Sequence, residues 1–372
     1  MTVDNASGDN ASGRPTATRA VLLDVARLAG VSRTTASFVL TGRNDMGISA
    51  AAADRVRQAA RDLGYRPSLL AKSLRMNSSH TIGLLSDGFG GGLFAGELIQ
   101  GALAAAVLHD KMIFVGETGG DPLVETRLIN SMLDRGARAF VYASRRLRQV
   151  RLSTLLRAQQ VVLVNCTIQS RDTATVIPDE RGAGRSLAMA LIQRGHRDGI
   201  LVVGRAGPGD SAGLRIRGIT DALRTQGARV AAIIDSVSQP GPAAVAVGRI
   251  LGAAPRPTAL ICLDNRIAMG AYQAARDCGL SVPDDVSVVS FGDSQLATWL
   301  EPQLTSAAIP FGELARQAVE ILVAPEKPFG AQYVAMPLVQ GSSVGPPGSG
   351  RDARRDLSSA SSTGRQRRCA VT

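Results

Sequence analysis

The chain has 372 residues and a net charge of +11, with 45% hydrophobic and 20% charged residues. This length predicts two or three domains, and the balance is typical of a soluble globular protein. The sequence lacks an apolar run of about 18 residues, which argues against a membrane-spanning helix. Its polar N-terminus has no secretory signal, so we expect a cytoplasmic location.

The cysteines and histidines are scattered along the chain. None has C-x-x-C or zinc-ligand spacing, which predicts free thiols and neither a metal nor a cofactor. They are Cys166, Cys262, Cys278, Cys369, His80, His109 and His196.

Positive charge is concentrated near the N-terminus. Residues 1–18 carry −1 and are predicted to be a disordered leader, whereas residues 19–76 hold ten Lys/Arg and four Asp/Glu, a net charge of +6. Residues 341–372 carry +4 and are rich in Gly, Ser and Arg, which predicts a disordered basic tail. A basic head on a near-neutral body indicates a polyanionic partner.

Three short helical patterns follow the leader. The first has apolar residues at i, i+3, i+4 and i+7 from Leu22, and Gly30 ends it. Ser32 is a good N-cap for a second helix over 33–40. The third starts after Ser49, with Ala53, Val56, Ala60 and Leu63 facing inward.

The second helix is predicted to turn polar side chains outward. Arg33, Thr34 and Ser37 lie on its free face together with Phe38. Three helices with a tight turn between the first two form a helix-turn-helix, whose second helix enters the DNA major groove. A small helical cap packed on the body is the alternative, and the basic charge argues against it.

A short helical pattern follows the head. Pro67 can open a helix over 68–75 that is too short to be stable alone. Lys72 and Arg75 could contact phosphates, and Leu74 could wedge between base steps in a minor groove. Taken alone, the segment would be an ordinary linker.

The stretches "DVARLAGVSRTTASFVL" and "ISAAAADRVRQAARDLGYRPSLLAKSLR", followed by "TIGLL", resemble the lactose-repressor and purine-repressor (LacI/GalR) family of bacterial transcription regulators. The resemblance covers residues 19–340 and implies a helix-turn-helix head, a hinge helix and a two-lobed effector-binding core that dimerises. By motif position Ser32, Arg33, Thr34 and Ser37 match the recognition-helix face of the family, Leu74 its intercalating hinge leucine and Lys72 its hinge basic residue. Thr35, Arg43 and Arg75 complete the predicted DNA-binding set. Phe38 departs from the frequent Arg or His, and Val21 replaces the usual first-helix cap.

Short apolar strands alternate with helices beyond residue 80. Strands are predicted at 81–85, 112–116, 139–142, 161–164, 200–204, 230–234, 259–263 and 286–291, and helices at 93–108, 123–134, 182–194, 212–226 and 266–278. This alternation predicts an α/β core of two doubly wound parallel-sheet lobes, four strands each, beneath the all-α head. Ligands of such folds bind at the carboxyl ends of the strands, here between the lobes.

The resemblance implies a periplasmic-binding-protein-like core whose chain crosses three times between lobes. The expected divisions are a head at 19–66, a hinge and linker at 67–79, and a core at 80–340. Within the core, the N-lobe is expected at 80–177 plus 309–330, and the C-lobe at 179–307 plus 331–340.

Five residues are predicted to line the cleft: Phe89, Arg215, Asp264, Asn265 and Asp293. By the family pattern Arg215 would clamp a hydroxyl pair or carboxylate bidentately, or else form an inter-lobe salt bridge. Gly292 stands where the family has an acid that accepts sugar hydroxyls, which puts a standard sugar effector in doubt. The loop "SDGFGGGLFAG" lacks the phosphate-loop motif, so a nucleotide enzyme is disfavoured.

These observations predict a sequence-specific repressor that binds a pseudo-palindromic DNA operator as a homodimer, with a small-molecule effector in the cleft. No catalytic arrangement can be assembled from the motifs, so we do not expect an enzyme. Two alternatives stay open: a regulator insensitive to ligand, and a cytoplasmic ligand-binding module whose head docks a protein.

Overall fold

The computed structural model describes residues 20–41, 47–65, 80–88, 94–170, 172–207, 210–292 and 294–348. The chain divides into two compact units between Ser78 and Ser79. The leader, the hinge segment 67–79 and residues 349–372 of the predicted tail lie outside the described residues.

The first unit contains three helices around a small apolar core. They are α1 (Leu22–Ala29), α2 (Arg33–Leu40) and α3 (Ala50–Asp62). Their buried residues are Val25, Ala26, Ala29, Ala36, Val39, Val56, Ala59 and Ala60. The prediction that Leu63 faces this core was wrong: α3 ends at Asp62, Leu63 is 37% exposed, and Tyr65 packs on the core instead.

Local hydrogen bonds define the ends of α1 and α2. Gly30 adopts φ +65° after α1, the left-handed conformation that a glycine permits at a helix end. The Ser32 hydroxyl accepts the backbone N–H of Thr35 at 3.0 Å, as expected of an N-cap. Val21 offers no side-chain cap to α1, but the Asp24 carboxylate accepts the Val21 N–H at 2.9 Å and so helps to hold the first turn.

The second unit has two six-stranded sheets, one in each lobe. The N-lobe strands are β1 (Thr81–Ser86), β2 (Met112–Glu117), β3 (Ala139–Ala143), β4 (Gln160–Val164), β5 (Ala174–Pro178) and β11 (Ala331–Val334), in the order β11-β5-β4-β3-β1-β2. The C-lobe strands are β6 (Ile200–Val203), β7 (Val230–Ile234), β8 (Ala259–Cys262), β9 (Ser287–Gly292), β10 (Thr305–Ala308) and β12 (Leu338–Val339), in the order β12-β10-β9-β8-β6-β7. Every pairing is parallel except that of β12 with β10.

Helices cover the sheets of both lobes. Those of the N-lobe are α4 (Phe94–Leu108), α5 (Pro122–Asp134), α6 (Thr154–Arg157) and α12 (Phe311–Val323). Those of the C-lobe are α7 (Glu180–Gln193), α8 (Ser211–Thr225), α9 (Pro240–Leu251), α10 (Asn265–Asp277) and α11 (Ser294–Thr298). The apolar strands pack beneath them, as parallel sheets require.

Two expectations about the lobes were wrong. Each sheet has six strands instead of four, because β5, β10, β11 and β12 are added around the crossings between lobes. The expected assignment of 331–340 to the C-lobe also fails, since β11 pairs with β5 of the N-lobe and only β12 joins the C-lobe sheet.

Residues 341–348 belong to the folded C-lobe and not to a disordered tail. Ser343 is fully buried, where its hydroxyl donates to the Val288 carbonyl at 2.6 Å and accepts the Thr305 N–H at 2.8 Å. The buried ring of His196 contacts the Gly345 carbonyl through Nε2 at 3.0 Å. Paired backbone groups hold this segment on the lobe, which composition alone does not reveal.

The stability of the C-lobe is predicted to decrease as pH falls from 7.5 to 5. Burial lowers the pKa of His196, so the folded state keeps the ring neutral while the unfolded chain protonates it near pH 6.5. The stabilisation that comes from burying the neutral ring is fully present above that pH. It is lost as the pH falls towards the lowered pKa. Urea unfolding should show a flatter pH dependence for His196→Asn, and His109→Asn serves as control. Equal pH slopes in all three proteins would contradict the prediction.

Candidate functional site

The first turn of α2 presents polar side chains to solvent. Ser32, Arg33 and Thr34 are exposed, while Ala36 and Val39 on the opposite face are buried in the head core. The Ser32 and Thr35 hydroxyls lie 2.9 Å apart in a mutual hydrogen bond. Arg33 and Thr34 therefore form the outermost polar edge of this helix.

The rest of the predicted DNA-binding set divides into two groups. Ser37 and Phe38 are half-buried, and the Ser37 carbonyl accepts the Thr41 hydroxyl at 2.7 Å. Arg43, Lys72, Leu74 and Arg75 lie outside the described residues. On α3, Arg55 Nε donates to the Ala29 carbonyl at 3.2 Å, which joins the last turn of α1 to α3 and steadies the frame that holds α2.

The chain crosses between the two lobes at the carboxyl ends of their sheets. Pro178 ends β5 and Glu180 begins α7 of the other lobe, and α12 begins at Phe311, just after β10. In parallel α/β lobes the helix N-termini lie at the carboxyl edge of the sheet, so these crossings bring both carboxyl edges to the inter-lobe cleft.

On the C-lobe side, the Arg215 guanidinium is hydrogen-bonded to residues of its own lobe. Its Nε and Nη2 donate to the two Glu180 carboxylate oxygens at 2.6 and 3.0 Å, and Nη1 donates to the Leu263 carbonyl. The guanidinium lies 4.7 Å from the centre of the Phe291 ring. The predicted bidentate clamp is not available here, since both fork nitrogens bind Glu180. The alternative inter-lobe bridge also fails, because α7 and α8 belong to one lobe.

Two glycines allow this ion pair to form. At Gly184 of α7 and Gly218 of α8, a Cβ would overlap the backbone of the facing helix. The helices therefore approach closely and place Glu180 against Arg215, whose side chains are only 2% and 7% exposed.

Asp264 and Asn265 are also bound within the C-lobe. Asp264 caps α10 by accepting the Ile267 N–H at 2.9 Å, and Asn265 Oδ1 accepts the Ser290 hydroxyl at 2.6 Å. Asn265 lies beside Gly292, where a Cβ would be 3.5 Å from its side chain. The remaining cleft predictions, Phe89 and Asp293, lie outside the described residues.

The N-lobe wall carries a polar cluster that our sequence analysis missed. Asp87 follows β1 and forms an ion pair with Arg148, and it accepts the Ser144 hydroxyl at 3.2 Å and the Arg145 N–H at 3.3 Å. The Asp87 side chain is 6% exposed, whereas that of Arg148 is 48% exposed. The cluster therefore holds one guanidinium at the cleft with part of its surface open to solvent.

Asn165, directly after β4, is the second missed residue. It adopts φ +53°, is 2% exposed, and donates through Nδ2 to the Ser144 carbonyl at 2.9 Å. Its Oδ1 is buried and has no hydrogen-bond partner among the described residues. A buried acceptor without a donor is costly, which makes Asn165 a candidate polar group of the cleft wall.

Two family models match parts of this chain. Residues 21–68 match the family model for bacterial regulatory proteins of the lacI family, and residues 188–344 match that for the periplasmic binding protein-like domain. The ribose operon repressor of Escherichia coli K12 is 29% identical over 313 residues, covering 82% of this chain and 92% of the relative. The HTH-type transcriptional regulator AscG of the same organism is 28% identical over 307 residues, covering 81% and 90%. The chain thus combines a lacI-family regulatory domain with a periplasmic-binding-protein-like domain.

Solved structures support this fold. The lac repressor dimer bound to operator and the anti-inducer ONPF has a TM-score of 0.72 and 20% identity, covering 88% of this chain and all of that one. A LacI-family regulator from Rhizobium etli has a TM-score of 0.62 and 26% identity, covering 72% and 100%. The chain is a DNA-binding transcriptional regulator with a ligand-binding domain, and its curated relatives are regulators.

The described residues also bear on whether the chain has membrane spans, metal sites or disulfides. None of the described helices has the length and apolar character needed to cross a bilayer. Within the described parts of the chain, no three His, Cys, Asp or Glu side chains cluster as metal ligands. Cys166, Cys262 and Cys278 are free thiols. A simple signal could have revealed Asp87 and Asn165, because each follows a predicted apolar strand within two residues at its carboxyl end.

Proposed function

We propose that this protein represses transcription as a homodimer on a pseudo-palindromic operator, under the control of a small molecule in the inter-lobe cleft. The observation that carries the proposal is the exposed Arg33–Thr34 edge on α2, held outward by a buried apolar face. A helix presented in this way fits the major groove, where Arg can pair with guanine.

The DNA contacts divide by their chemistry. Arg33 and Thr34 would discriminate bases, with Ser32, Thr35 and Ser37 near the backbone. Arg43, Lys72 and Arg75 would contact phosphates, which supply most of the affinity and its salt dependence. Leu74 would wedge into the centre of the site.

An exposed apolar surface supports the homodimer. We call it the dimer patch; it comprises Leu103, Val107, Leu108, Met112, Val115 and Ile233, each between 43% and 80% exposed. It lies on α4 and on β2 and β7, which are the edge strands at corresponding ends of the two sheets. Apolar edge strands and a helix with two apolar faces are unfavourable in water, and we infer that a second copy of this chain covers them.

Val107→Asp is predicted to convert the dimer into monomers. Val107 is 74% exposed on α4, so the change leaves the monomer core intact but places a charge in a desolvated interface. Sedimentation equilibrium should show at least a tenfold weaker dimer, about 1.4 kcal/mol, and operator affinity should fall with it. Tyr333→Asp, 68% exposed on the opposite edge strand β11, is the control. An unchanged dimer in Val107→Asp would contradict the assignment.

The effector would meet polar groups from both lobes. Asn165 and Arg148 stand on the N-lobe wall and Asn265 on the C-lobe wall, while Arg215 would act by fixing the geometry of α7 and α8. Closure on a ligand would change the separation of the hinge segments. A ligand-insensitive regulator is the second candidate, favoured by the prior engagement of Arg215 with Glu180.

The decisive experiment is to capture random genomic fragments with the purified protein at near-physiological salt and sequence them. A shared pseudo-palindrome with fixed half-site spacing is the expected result, and the neighbouring genes would suggest an effector. Capture of fragments without any motif would overturn the proposal and favour binding to backbone charge alone.

A further inference from the structure

The N-lobe contains a cavity of about 960 Å³ at the amino ends of β4 and β5. This end of the sheet is opposite to the inter-lobe cleft, which lies at the carboxyl ends. The cavity exists because α6 is only four residues long, so a full helix does not cover the sheet at this point. Its volume is within the range of small-molecule sites.

The floor of this cavity is apolar and already buried. Val150, Leu152 and Leu156 are at most 6% exposed and belong to one core cluster with Leu163 and Cys166. The half-buried Ile168 packs against the same cluster and lines the cavity. Such a floor accepts the hydrocarbon body of a ligand.

The rim of the cavity is basic. Arg151, Arg157 and Lys327 line it, against the single carboxylate of Asp172. Lys327 Nζ donates to the neutral Gln160 side chain at 2.7 Å, and Arg157 Nε donates to the Leu152 carbonyl at 3.1 Å. No ion pair involving these three cations occurs in the described part of the chain.

Lys327 is the most constrained of the three cations. It is half-buried, and this burial lowers its pKa below the ordinary lysine value. A cation that is partly removed from water without an anionic partner is unfavourable, so a bound anion would stabilise it.

We propose that this cavity binds an organic carboxylate with an apolar body, with the carboxylate at Lys327 and the hydrocarbon on the floor formed by Leu152, Leu156 and Ile168. The site is separate from the effector cleft, and the proposal does not depend on the proposed function. Its chemistry is recognition by one charge-assisted hydrogen bond and apolar burial.

Three probes test the assignment by titration calorimetry on the full-length protein. Octanoate should bind with one site per chain, whereas octan-1-ol lacks the charge and acetate lacks the body. Each control probe should bind at least about tenfold more weakly, as expected from the loss of a hydrogen bond to a charged group or of several buried methylenes. Equal binding of octanoate and octan-1-ol would overturn the proposal without any variant.

Variants then locate the site. Lys327→Met should weaken octanoate binding at least about tenfold, and Ile168→Trp should also weaken it by covering the apolar floor with a larger side chain. Lys111→Met, a half-buried lysine before β2 at the far edge of the same sheet, should leave binding unchanged. Thermal melting confirms that each variant is folded. Octanoate binding that is insensitive to both cavity substitutions would place the ligand elsewhere and refute the site.

Discussion

Arg215→Met is expected to lower the free energy of unfolding by about 3–5 kcal/mol, because it leaves the Glu180 carboxylate buried without its partner. Glu180 and Arg215 are 2% and 7% exposed, so water cannot replace the lost hydrogen bonds. The substitution also removes the donor to the Leu263 carbonyl and the cation over the Phe291 ring. Urea unfolding followed by circular dichroism measures the loss.

The double variant Glu180→Gln/Arg215→Met separates the ion pair from packing. It removes both charges, so we expect it to be more stable than Arg215→Met alone. Arg205→Met is the matched control, because its ion pair with Asp235 is 63% and 65% exposed and should leave the unfolding midpoint unchanged. If Arg205→Met and Arg215→Met lower the free energy of unfolding by the same amount, the buried ion pair is not what holds α7 against α8.

The strands that could be predicted from the sequence are those with continuous apolar runs. All eight predicted strands exist, with ends shifted by at most one residue. Six of them are mostly buried, and burial on both faces requires an uninterrupted apolar pattern. The other two, β2 and β7, are exposed edge strands that carry the same apolar pattern. The four missed strands lack that pattern. β10 is Thr-Ser-Ala-Ala, and β12 has only two residues, so both depend on pairing with neighbours that are distant in the sequence.

The candidate site was predictable in position but not in its contacts. The helix carrying Arg215 followed from the pattern, yet its partner Glu180 lies 35 residues earlier on another helix. The pairing depends on the close approach at Gly184 and Gly218, which is a tertiary property. The orientation of α2 was easier to predict from the sequence. Its Ser32 cap and its buried residues Ala36 and Val39 are local features that already orient the helix.

Arg33→Ala is expected to produce the largest loss of specific DNA binding. A bidentate Arg–guanine contact is worth about 1–3 kcal/mol for each head, so a dimer loses about 2–6 kcal/mol, at least ~30-fold in operator Kd. The head itself should keep its stability, because Arg33 is exposed in the first turn of α2 and alanine is a good helix former.

The comparison with nonspecific DNA decides what Arg33 does. Arg57→Ala on α3 removes the same charge from an exposed position and should weaken specific and nonspecific DNA to a similar, smaller extent. Arg33→Lys keeps the charge but not the planar fork, so it should retain nonspecific binding and still lose the operator. Fluorescence anisotropy with operator and scrambled duplexes at several salt concentrations measures both the specific and the nonspecific affinity. If Arg33→Ala weakened the two duplexes equally, Arg33 would be a phosphate contact, and base discrimination would have to come from other residues of the head.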